Sequence, residues 1–326
     1  MKRKIAIIAG GDSSEHAVSM KSAEGIRSFI DANKYDIYLV ELSKEKWEAV
    51  LPEGNAPVDK NDFSFVANGE RIRPDFAYIT IHGTPGENGI LQGYFELIGL
   101  PYSTCDVLVS ALTFSKFHLN QYLKSLGLKV AESLVVNRRQ SISEQDIIET
   151  IGLPCFIKPN ASGSSFGVTK VKTVEDIRPA LETAFAESDD VMVEAFMDGT
   201  EIANGCYKVK GKEVVLPITE VVSKNEFFDF NAKYNGEVTE ITPARLSEEV
   251  TARVQKLTSL IYDILKCKGI IRVDYIITAG DVINMLEVNT TPGMTATSFI
   301  PQQVRAAGLD IKEVMTDIIE DAFLPS

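Results

Sequence analysis

Short continuous apolar runs alternate with helical patterns of apolar residues along the first hundred positions of the chain. Strands are predicted at three of these runs, 4–9, 35–42 and 75–81. A helix is predicted at 15–30, where apolar residues recur every three or four positions, and a shorter one at 88–98. This alternation is typical of a parallel sheet covered by helices, so an α/β fold is expected.

The rest of the chain continues the mixture of strands and helices. Strands are predicted at 132–136, 154–158, 168–171 and 191–195, within 201–222, and as a hairpin over 270–289. Helices are predicted near 106–126 and 310–322, and over 174–187 and 247–267. A polar, aromatic-rich loop occupies 223–240. We expect three units, with boundaries near 104 and 198, that cover 1–104, 105–198 and 199–326.

Composition and charge argue against several classes of protein. The chain is 44% hydrophobic and 24% charged, which is ordinary for a soluble globular protein. No apolar run reaches the roughly 18 residues that a membrane span needs. The first run leads into Gly10-Gly11-Asp12 rather than a signal-peptide cleavage site, so we expect a cytoplasmic protein. The net charge of -13, without a strong basic block, argues against nucleic acid as a partner.

The cysteines are far apart in the sequence. They stand at Cys105, Cys155, Cys206 and Cys267 and form no C-x-x-C pair. A zinc site or a disulfide framework is therefore not expected. We interpret these residues as core side chains or as reduced surface thiols.

The predicted hairpin at 270–289 places polar side chains on one face. Side chains alternate between faces along a strand, so Arg272 and Asp274 share a face, as do Glu287 and Asn289. A symmetric turn at Thr278-Ala279-Gly280-Asp281 pairs residue 272 with 287 and brings all four groups to the same side. The opposite face is then lined by Val273, Tyr275, Leu286 and Val288.

Two carboxylates and an amide oxygen on one surface suit a magnesium ion, which prefers hard oxygen ligands. Arg272 beside them can hold an oxyanion or a phosphoryl group. The alternative is a solvent-exposed face with ordinary ion pairs. The small, turn-forming residues that follow at 290–295 favour a binding loop and hence the site.

A Gly/Ser-rich loop follows a predicted strand that ends near Lys158. It runs from Asn160 to Gly167 and can bring backbone N–H groups and hydroxyls onto a phosphate. The nucleotide-loop patterns G-x-x-x-x-G-K-[ST] and G-x-G-x-x-G are not found there. Taken alone, such a loop is also typical of an ordinary turn.

The same loop contains a G-x-S-x-G match around Ser165, the nucleophile-elbow pattern of serine hydrolases. That pattern needs a helix directly after the serine and a histidine later in the chain. Here a predicted strand follows at 168–171, and the histidines, His16, His82 and His118, all precede the serine. A hydrolase is therefore disfavoured.

Polar residues also follow the first strand, at 10–19. Ser13 or Ser14 can cap the helix, with Glu15 in its first turn, where the helix dipole favours a carboxylate. Capping alone would explain them. Glu15 also lies where α/β sheets bind ligands, so it can hold a substrate ammonium. His82 follows another strand and is expected at the same edge, although a lone histidine there can be structural.

Three motifs, in order along the chain, resemble the D-alanine–D-alanine ligases of the ATP-grasp superfamily. They are Gly10-Gly11 with Glu15-His16-x-Val18-Ser19, His82-Gly83-x-x-Gly86-Glu87-x-Gly89-x-x-Gln92-Gly93, and Leu286-Glu287-Val288-Asn289-Thr290-x-Pro292-Gly293-Met294-Thr295. The resemblance implies three α/β domains: an N-terminal substrate domain, a central ATP-grasp domain, and a C-terminal ATP-grasp domain with the metal site and a closing loop.

The resemblance also implies roles for individual residues. Those implied to bind ATP are Lys116 and Lys158 at the phosphates, Glu194, Phe196 and Met197 at the adenine hinge, Glu201 at the ribose, and Ser165. Those implied to bind magnesium are Asp274, Glu287 and Asn289. Those implied to bind D-alanine or promote its reaction are Glu15, Ser164 and Tyr234 around the first D-alanine, Arg272 and Gly293 at the tetrahedral intermediate, and His82, Lys233, Ser298 and Phe299.

The chain departs from the family pattern at several positions. Phe114-Ser115-Lys116 stands where Met-Asp-Lys is usual, and Ala161-Ser162-Gly163 where Arg-Glu-Gly is common. Ala195 replaces a lysine in the adenine hinge, and Asn88 replaces an aspartate. These departures concern nucleotide contacts more than the reaction type.

The activity that the resemblance implies is ligation of two D-alanines through a D-alanyl phosphate, for peptidoglycan precursor synthesis. ATP and two magnesium ions, with manganese as an alternative, are the implied cofactors, and a homodimer is the implied assembly. Lys233-Tyr234 resembles the type that makes the dipeptide rather than D-alanyl-D-lactate. Another ATP-grasp carboxylate–amine ligase and a non-catalytic nucleotide-binding regulator remain as alternatives.

Overall fold

A computed structural model describes residues 2–140, 142–161, 166–223 and 238–324 of the chain. Within these residues, no helix combines the length and the apolar character that crossing a membrane requires.

The N-terminal sheet is parallel at its centre. Its strands are β1 (Arg3–Gly10), β2 (Tyr35–Leu42), β3 (Trp47–Val50), β4 (Ala56–Pro57) and β7 (Phe76–Ile79). The order is β4-β3-β2-β1-β7, and β1 pairs in parallel with both β2 and β7, which confirms the predicted parallel sheet. Strands β3 and β4 add an antiparallel edge that the apolar pattern did not predict. A separate hairpin joins β5 (Phe65–Ala67) to β6 (Glu70–Ile72).

Two helices accompany this sheet, α1 (His16–Phe29) and α2 (Ile90–Ile98). Ala23 and Ile26 of α1 are buried against the apolar side chains of β1. The predicted serine cap is wrong, because α1 begins one residue after Glu15 and Glu15 makes no side-chain cap bond. Instead, the Ser13 hydroxyl donates to the His82 carbonyl oxygen at 2.9 Å and joins the ends of two strands.

The central part of the chain forms an antiparallel sheet. Its strands are β8 (Ser133–Asn137), β9 (Cys155–Pro159), β10 (Thr169–Val171) and β11 (Asp190–Ala195), in the order β10-β9-β11-β8. The helices are α3 (Val107–Phe114), α4 (Lys116–Ser125), α5 (Glu144–Thr150) and α6 (Ile177–Phe185), the last preceded by a 3-10 turn at Val174–Asp176. These strands agree with the predicted ones to within one or two residues, because each is an apolar run with buried side chains.

The C-terminal sheet is antiparallel throughout its described strands. They are β12 (Gly199–Val209), β13 (Lys212–Val215), β14 (Thr219–Ser223), β15 (Val238–Ile241), β16 (Ile270–Thr278) and β17 (Val282–Asn289). The order is β15-β14-β12-β16-β17, with β13 beside β12. The helices are α7 (Glu248–Leu265), α8 (Phe299–Ala306) and α9 (Ile311–Asp321). Helix α8 was not predicted.

The register of the β16–β17 hairpin differs from the prediction. Thr278 pairs with Val282 around a turn of three residues, and Arg272 pairs with Asn289 rather than with Glu287. The register shifts between Asp274 and Tyr275, where β17 contains an extra residue at Leu286. Met285, 1% exposed, therefore lies opposite Tyr275, whereas Leu286, which was predicted to line the apolar face, is the extra residue.

One buried cluster connects the N-terminal sheet with the C-terminal part of the chain. Its members include Ile5 and Ile7 of β1, Tyr207 of β12, Val304 of α8 and Ile318 of α9. The central sheet has its own cluster of buried side chains. All four cysteines are buried and free, which selects the core interpretation over surface thiols. The unit boundaries near 104 and 198 stay predictions.

Candidate active site

A cavity of about 240 Å³ lies where the N-terminal sheet, α3, α4, the β16–β17 hairpin and the start of α8 converge. The predicted site residues that line it are Glu15, His82, Lys116, Arg272, Glu287, Asn289, Gly293, Ser298 and Phe299. These residues span 285 positions of the chain, so only the folded protein brings them together. Two strand ends of the N-terminal sheet, those before Glu15 and His82, open onto the same space, as expected from the sequence.

Arg272 and Asp274 form a two-bond ion pair at the floor of this site. Arg272 Nε and Nη2 each donate to a different carboxylate oxygen of Asp274, both at 2.7 Å. Although burial lowers the pKa of an arginine, the negative charges of Asp274, Glu287 and Glu201 raise the Arg272 pKa above its usual value. The guanidinium is therefore a permanent, oriented positive charge beside the cavity.

The three predicted metal ligands lie in contact with one another. Asn289 Nδ2 donates to Asp274 Oδ2 and to Glu287 Oε1, both at 3.2 Å. Within the described residues, no group of three or more His, Cys, Asp and Glu side chains could hold a metal ion. Magnesium needs fewer protein ligands, because it keeps several waters and substrate oxygens. Two carboxylates that approach one amide, whose Oδ1 can replace Nδ2 by rotation, fit that ion.

Lys116 approaches the Glu287 carboxylate from α4. Its Nζ lies 3.6 Å from Glu287 Oε2, and its side chain is 15% exposed. The lysine is therefore held at the cavity wall with its charge beside the metal-ligand set, where a polyphosphate would be attracted.

Several predicted nucleotide residues lie beside the cavity rather than in its lining. Lys158 Nζ contacts Glu194 Oε2 at 2.7 Å, and the two side chains are 9% and 3% exposed. Asn120 Nδ2 of α4 lies 3.4 Å from the other oxygen of Glu194. The Glu194 carboxylate is thus paired with the Lys158 ammonium group. Lys170 Nζ lies 3.9 Å from the ring centroid of Phe196, so that ring already faces a cation.

Met197 lies between β11 and β12, and Glu201 lies near the start of β12. This part of the chain connects the central sheet to the C-terminal sheet. The negative charge of Glu201 is one of those that raise the pKa of Arg272.

The N-terminal side of the cavity contains a second carboxylate that the sequence analysis did not select. Glu87 accepts a hydrogen bond from the Gly83 backbone N–H at 2.7 Å. Burial, and then the charge of Glu15, raise the pKa of Glu87 to about 8. Its position within the His82-Gly83-x-x-Gly86-Glu87 motif was the only sequence signal for it. Thr113, Phe114 and Glu240 also line the cavity without having been predicted.

His82 is buried and held against α1. Its Nε2 lies 3.3 Å from Ser22 Oγ of α1, and the residue is 7% exposed. Glu15 is 4% exposed and lies at the N-terminal end of α1. The histidine and the glutamate therefore form a fixed polar wall opposite Arg272.

The loop after β17 turns tightly above Arg272. Ser298 Oγ accepts the Thr295 backbone N–H at 3.1 Å and precedes the first residue of α8. A Cβ at Gly293 would lie 3.1 Å from Ser298 Oγ, so glycine allows this close approach. The Phe299 ring centroid lies 5.2 Å from the Arg272 guanidinium carbon. Gly293, Ser298 and Phe299 thus form the rim nearest to Arg272.

Four predicted site residues lie outside the described residues. They are Ser164, Ser165, Lys233 and Tyr234. The predicted closing loop at 223–240 lies largely outside them as well.

Comparison with known families and proteins gives matches along nearly all of the chain. The family model described as "D-ala D-ala ligase N-terminus" matches residues 4–105, and that described as "D-ala D-ala ligase C-terminus" matches residues 122–320. A D-alanine--D-alanine ligase of Phocaeicola vulgatus is 69% identical over 324 residues, which are 99% of this chain and 100% of that protein.

Solved structures show the same fold. The VanG D-Ala:D-Ser ligase from Enterococcus faecalis is 31% identical, with a TM-score of 0.86 over 99% of this chain and 100% of that one. The D-alanine--D-alanine ligase from Bacillus anthracis complexed with ATP is 27% identical, with a TM-score of 0.77 over 98% of this chain and 97% of that one. The expected ATP-grasp fold is thereby confirmed. With family models that match both of its halves, the chain belongs to the D-alanine–D-alanine ligase family.

Proposed function

We propose that this protein joins two D-alanines into D-alanyl-D-alanine, converts ATP to ADP and phosphate in doing so, and supplies peptidoglycan precursor synthesis. The observation that carries the proposal is the cavity, where Arg272, Lys116 and the Glu287–Asn289 pair face the buried carboxylate of Glu15. This arrangement offers cations for phosphate on one side and a carboxylate for a substrate ammonium on the other. Relatives named D-alanine--D-alanine ligase at up to 69% identity over the whole chain support the choice of substrate.

The first step activates the carboxylate of one D-alanine. Glu15 holds its ammonium group, and a carboxylate oxygen attacks the γ-phosphorus of ATP. A new oxygen–phosphorus bond forms, the bond to the ADP oxygen breaks, and ADP leaves from a D-alanyl phosphate. Lys116 and Lys158 stabilise the charge on the phosphate oxygens by position and electrostatics, which supply most of the catalysis in phosphoryl transfer.

The second step forms the peptide bond. The neutral amine of the second D-alanine attacks the activated carbonyl carbon, and its surplus proton passes to the departing phosphate. The carbonyl oxygen becomes an oxyanion that Arg272 and the Gly293 backbone N–H stabilise, before phosphate leaves with its electron pair. Ser298 and Phe299, at the rim beside Arg272, are placed to contact the second D-alanine.

Asp274, Glu287 and Asn289 would hold magnesium, or manganese in its place, with two ions as the proposed number. The bound metal supplies positive charge that neutralises the phosphate oxygens as the phosphoryl group is transferred. The Asp274–Arg272 ion pair keeps the metal ligands beside the oxyanion site, so that both steps use the same part of the cavity.

The family resemblance further supports a closing loop around Lys233 and Tyr234, with Ser164 and Ser165 near the substrates. A D-alanyl phosphate hydrolyses readily, so the reaction needs a cover that excludes water. Tyr234 is proposed to orient the first D-alanine together with Glu15 and Ser164. Glu194, Phe196, Met197 and Glu201 are proposed to bind the adenosine part of ATP.

A second candidate is ligation of D-alanine to another acceptor. The likeness to a D-Ala:D-Ser ligase, with a TM-score of 0.86, is as close in fold as the likeness to dipeptide-forming enzymes. The fold therefore does not select the acceptor. The named relatives and the Lys233-Tyr234 pair favour D-alanine.

ADP release with ATP and magnesium tests the proposal, with D-alanine alone, L-alanine, D-alanine plus D-serine, and D-alanine plus D-lactate as substrates. Turnover with D-alanine alone, none with L-alanine, and dipeptide as the product are expected. ADP formation that requires D-serine or D-lactate would replace the dipeptide proposal by the second candidate. ATP binding without turnover in any mixture would favour a regulator.

We also infer a cytoplasmic homodimer in which three domains divide near 104 and 198. Ile90 and Leu97 are 61% and 88% exposed, seven residues apart on α2, and Leu108 of α3 is 74% exposed. Such apolar side chains favour an interface between copies. Light scattering on the wild type and on Leu97→Glu tests the dimer, which the charged substitution is expected to weaken.

A further inference from the structure

Lys116 is the first residue of α4, and its position therefore depends on how that helix begins. Ser115 occupies the N-cap position, but its side chain accepts none of the backbone N–H groups of the helix. The first backbone N–H groups of a helix have no partner within it and need one from elsewhere. In this chain the partner comes from the end of β9.

Asn160 satisfies that need with both its backbone and its side chain. Its carbonyl oxygen accepts the Lys116 N–H at 3.0 Å, and its Oδ1 accepts the Phe117 N–H at 2.8 Å. Its Nδ2 donates to Ser115 Oγ at 2.9 Å. Its own N–H donates to the Asp190 carbonyl oxygen at 2.9 Å, which fixes it to β11. Asn160 is 3% exposed, so all these bonds are shielded from water.

The same residue stands next to the other lysine of the site. Lys158 lies two positions earlier on β9, and Pro159 between them has a restricted backbone. One short rigid segment therefore carries Lys158 and holds the start of the helix that carries Lys116. A single asparagine therefore connects the two elements that carry these lysines.

The hydrogen bonds of Ser115 support this role of Asn160. A serine at an N-cap often closes its own helix by accepting an N–H group of the first turn. Here the Oγ of Ser115 bonds instead to Asn160 Nδ2 and to His118 Nδ1, the latter at 2.7 Å. Asn160 thus performs the capping that residue 115 does not.

We propose that Asn160 is a positioning residue for ATP: it caps α4 and thereby places Lys116 on the same phosphates as Lys158. The proposal rests on the proposed function, in which both lysines bind the phosphates. Asn160 itself touches no substrate and acts through Lys116.

A double-mutant cycle tests this coupling. Asn160→Ala is expected to raise the KM for ATP about tenfold, since loss of a cap frees the first turn, with little change in the KM for D-alanine. In a Lys116→Ala background the same substitution is expected to change the KM for ATP less than twofold, because the lysine it positions is gone. An equal tenfold effect in both backgrounds would show a general structural role and overturn the proposal.

Rescue and a matched control complete the test. Ser115→Asp added to Asn160→Ala restores a cap and is expected to return the KM for ATP to within about threefold of wild type. Ser143→Ala removes the cap of α5, where Ser143 Oγ accepts the Asp146 N–H at 3.1 Å, and is expected to leave the KM for ATP unchanged. Failure of the rescue, or a similar effect of Ser143→Ala, contradicts the proposal.

These outcomes are distinguishable from failure of the proposed function. Wild-type protein that forms no ADP with any D-amino acid would refute the activity. ATP binding by calorimetry, without D-alanine, then still reports on Asn160. A tenfold weaker ATP affinity in Asn160→Ala, absent in the Lys116→Ala background, supports the positioning role, and an unchanged affinity refutes it.

Discussion

Arg272 holds Asp274 by two parallel hydrogen bonds of 2.7 Å, one from Nε and one from Nη2. The two residues lie on the same face of β16, and Val273 between them points into the core. The pair therefore fixes a cation for the oxyanion and a carboxylate for the metal as one rigid unit. Each half of the proposed reaction depends on the same contact.

Replacement of Arg272 by lysine tests this unit. Lysine keeps the charge but cannot form the two parallel bonds, so we expect kcat to fall about 10²- to 10³-fold. Arg245→Lys is the matched control, because Arg245 forms a similar fork with Glu220, at 2.9 and 2.6 Å, away from the cavity lining. Steady-state rates of ADP release measure both. Equal rates for the two variants would contradict a catalytic role for Arg272.

Glu287→Gln tests the metal-ligand set. The substitution keeps the shape and removes the charge, so we expect the magnesium concentration for half-maximal activity to rise at least about tenfold. Chelation of the metal is expected to abolish ADP formation in the wild type. Glu213→Gln, at an exposed glutamate paired with Lys208, is the control. An unchanged magnesium requirement in Glu287→Gln would assign the metal to other ligands.

Loss of Lys158 is expected to destabilise the fold as well as ATP binding. Lys158→Ala leaves the buried Glu194 carboxylate without its cation, which costs about 3–5 kcal/mol in the free energy of unfolding. Lys124→Ala, which breaks an exposed pair with Glu132, is expected to change stability little. Urea unfolding measures both. Similar stabilities of the two variants would contradict a buried ion pair between Lys158 and Glu194.

Glu87 gives the substrate-free protein a pH dependence. Its pKa is raised from 4.5 to about 8 by burial and by the charge of Glu15, so the folded state holds a proton that the unfolded state loses near its ordinary pKa. The resulting stability is fully present below pH 4.5 and is lost as the pH rises through about 8.

The check is the melting temperature between pH 5 and 9. Glu87→Gln is neutral at every pH, so it is expected to lose part of the decline that the wild type shows. Glu175→Gln, at an exposed position, is expected to keep the wild-type curve. Identical curves for all three proteins would place Glu87 in water rather than beside Glu15.

The apolar pattern predicted the elements that carry the site. Continuous runs predicted β1 and β7, and the period of two placed Arg272, Asp274, Glu287 and Asn289 on one face of the hairpin. The pairing was wrong because alternation reveals neither the three-residue turn nor the extra residue at Leu286, and each of these shifts the register by one position.

Other residues could not be predicted because their roles arise from distant contacts. From the sequence, Glu87 is predicted to be an ordinary loop glutamate, and only the fold brings it near Glu15. Asn160 is predicted to be part of a turn, and only the fold shows that it accepts a hydrogen bond from the start of α4. Both depend on long-range packing, which has no local signature in the sequence.

The most direct test of the account follows oxygen from substrate to product. D-alanine labelled with ¹⁸O at both carboxylate oxygens is incubated with ATP and magnesium, and the phosphate and dipeptide are analysed by mass spectrometry. If a D-alanine carboxylate attacks ATP, each phosphate carries one ¹⁸O and the new peptide carbonyl keeps one. Unlabelled phosphate would mean that water, and not D-alanine, attacks ATP, and would contradict ligation through a D-alanyl phosphate.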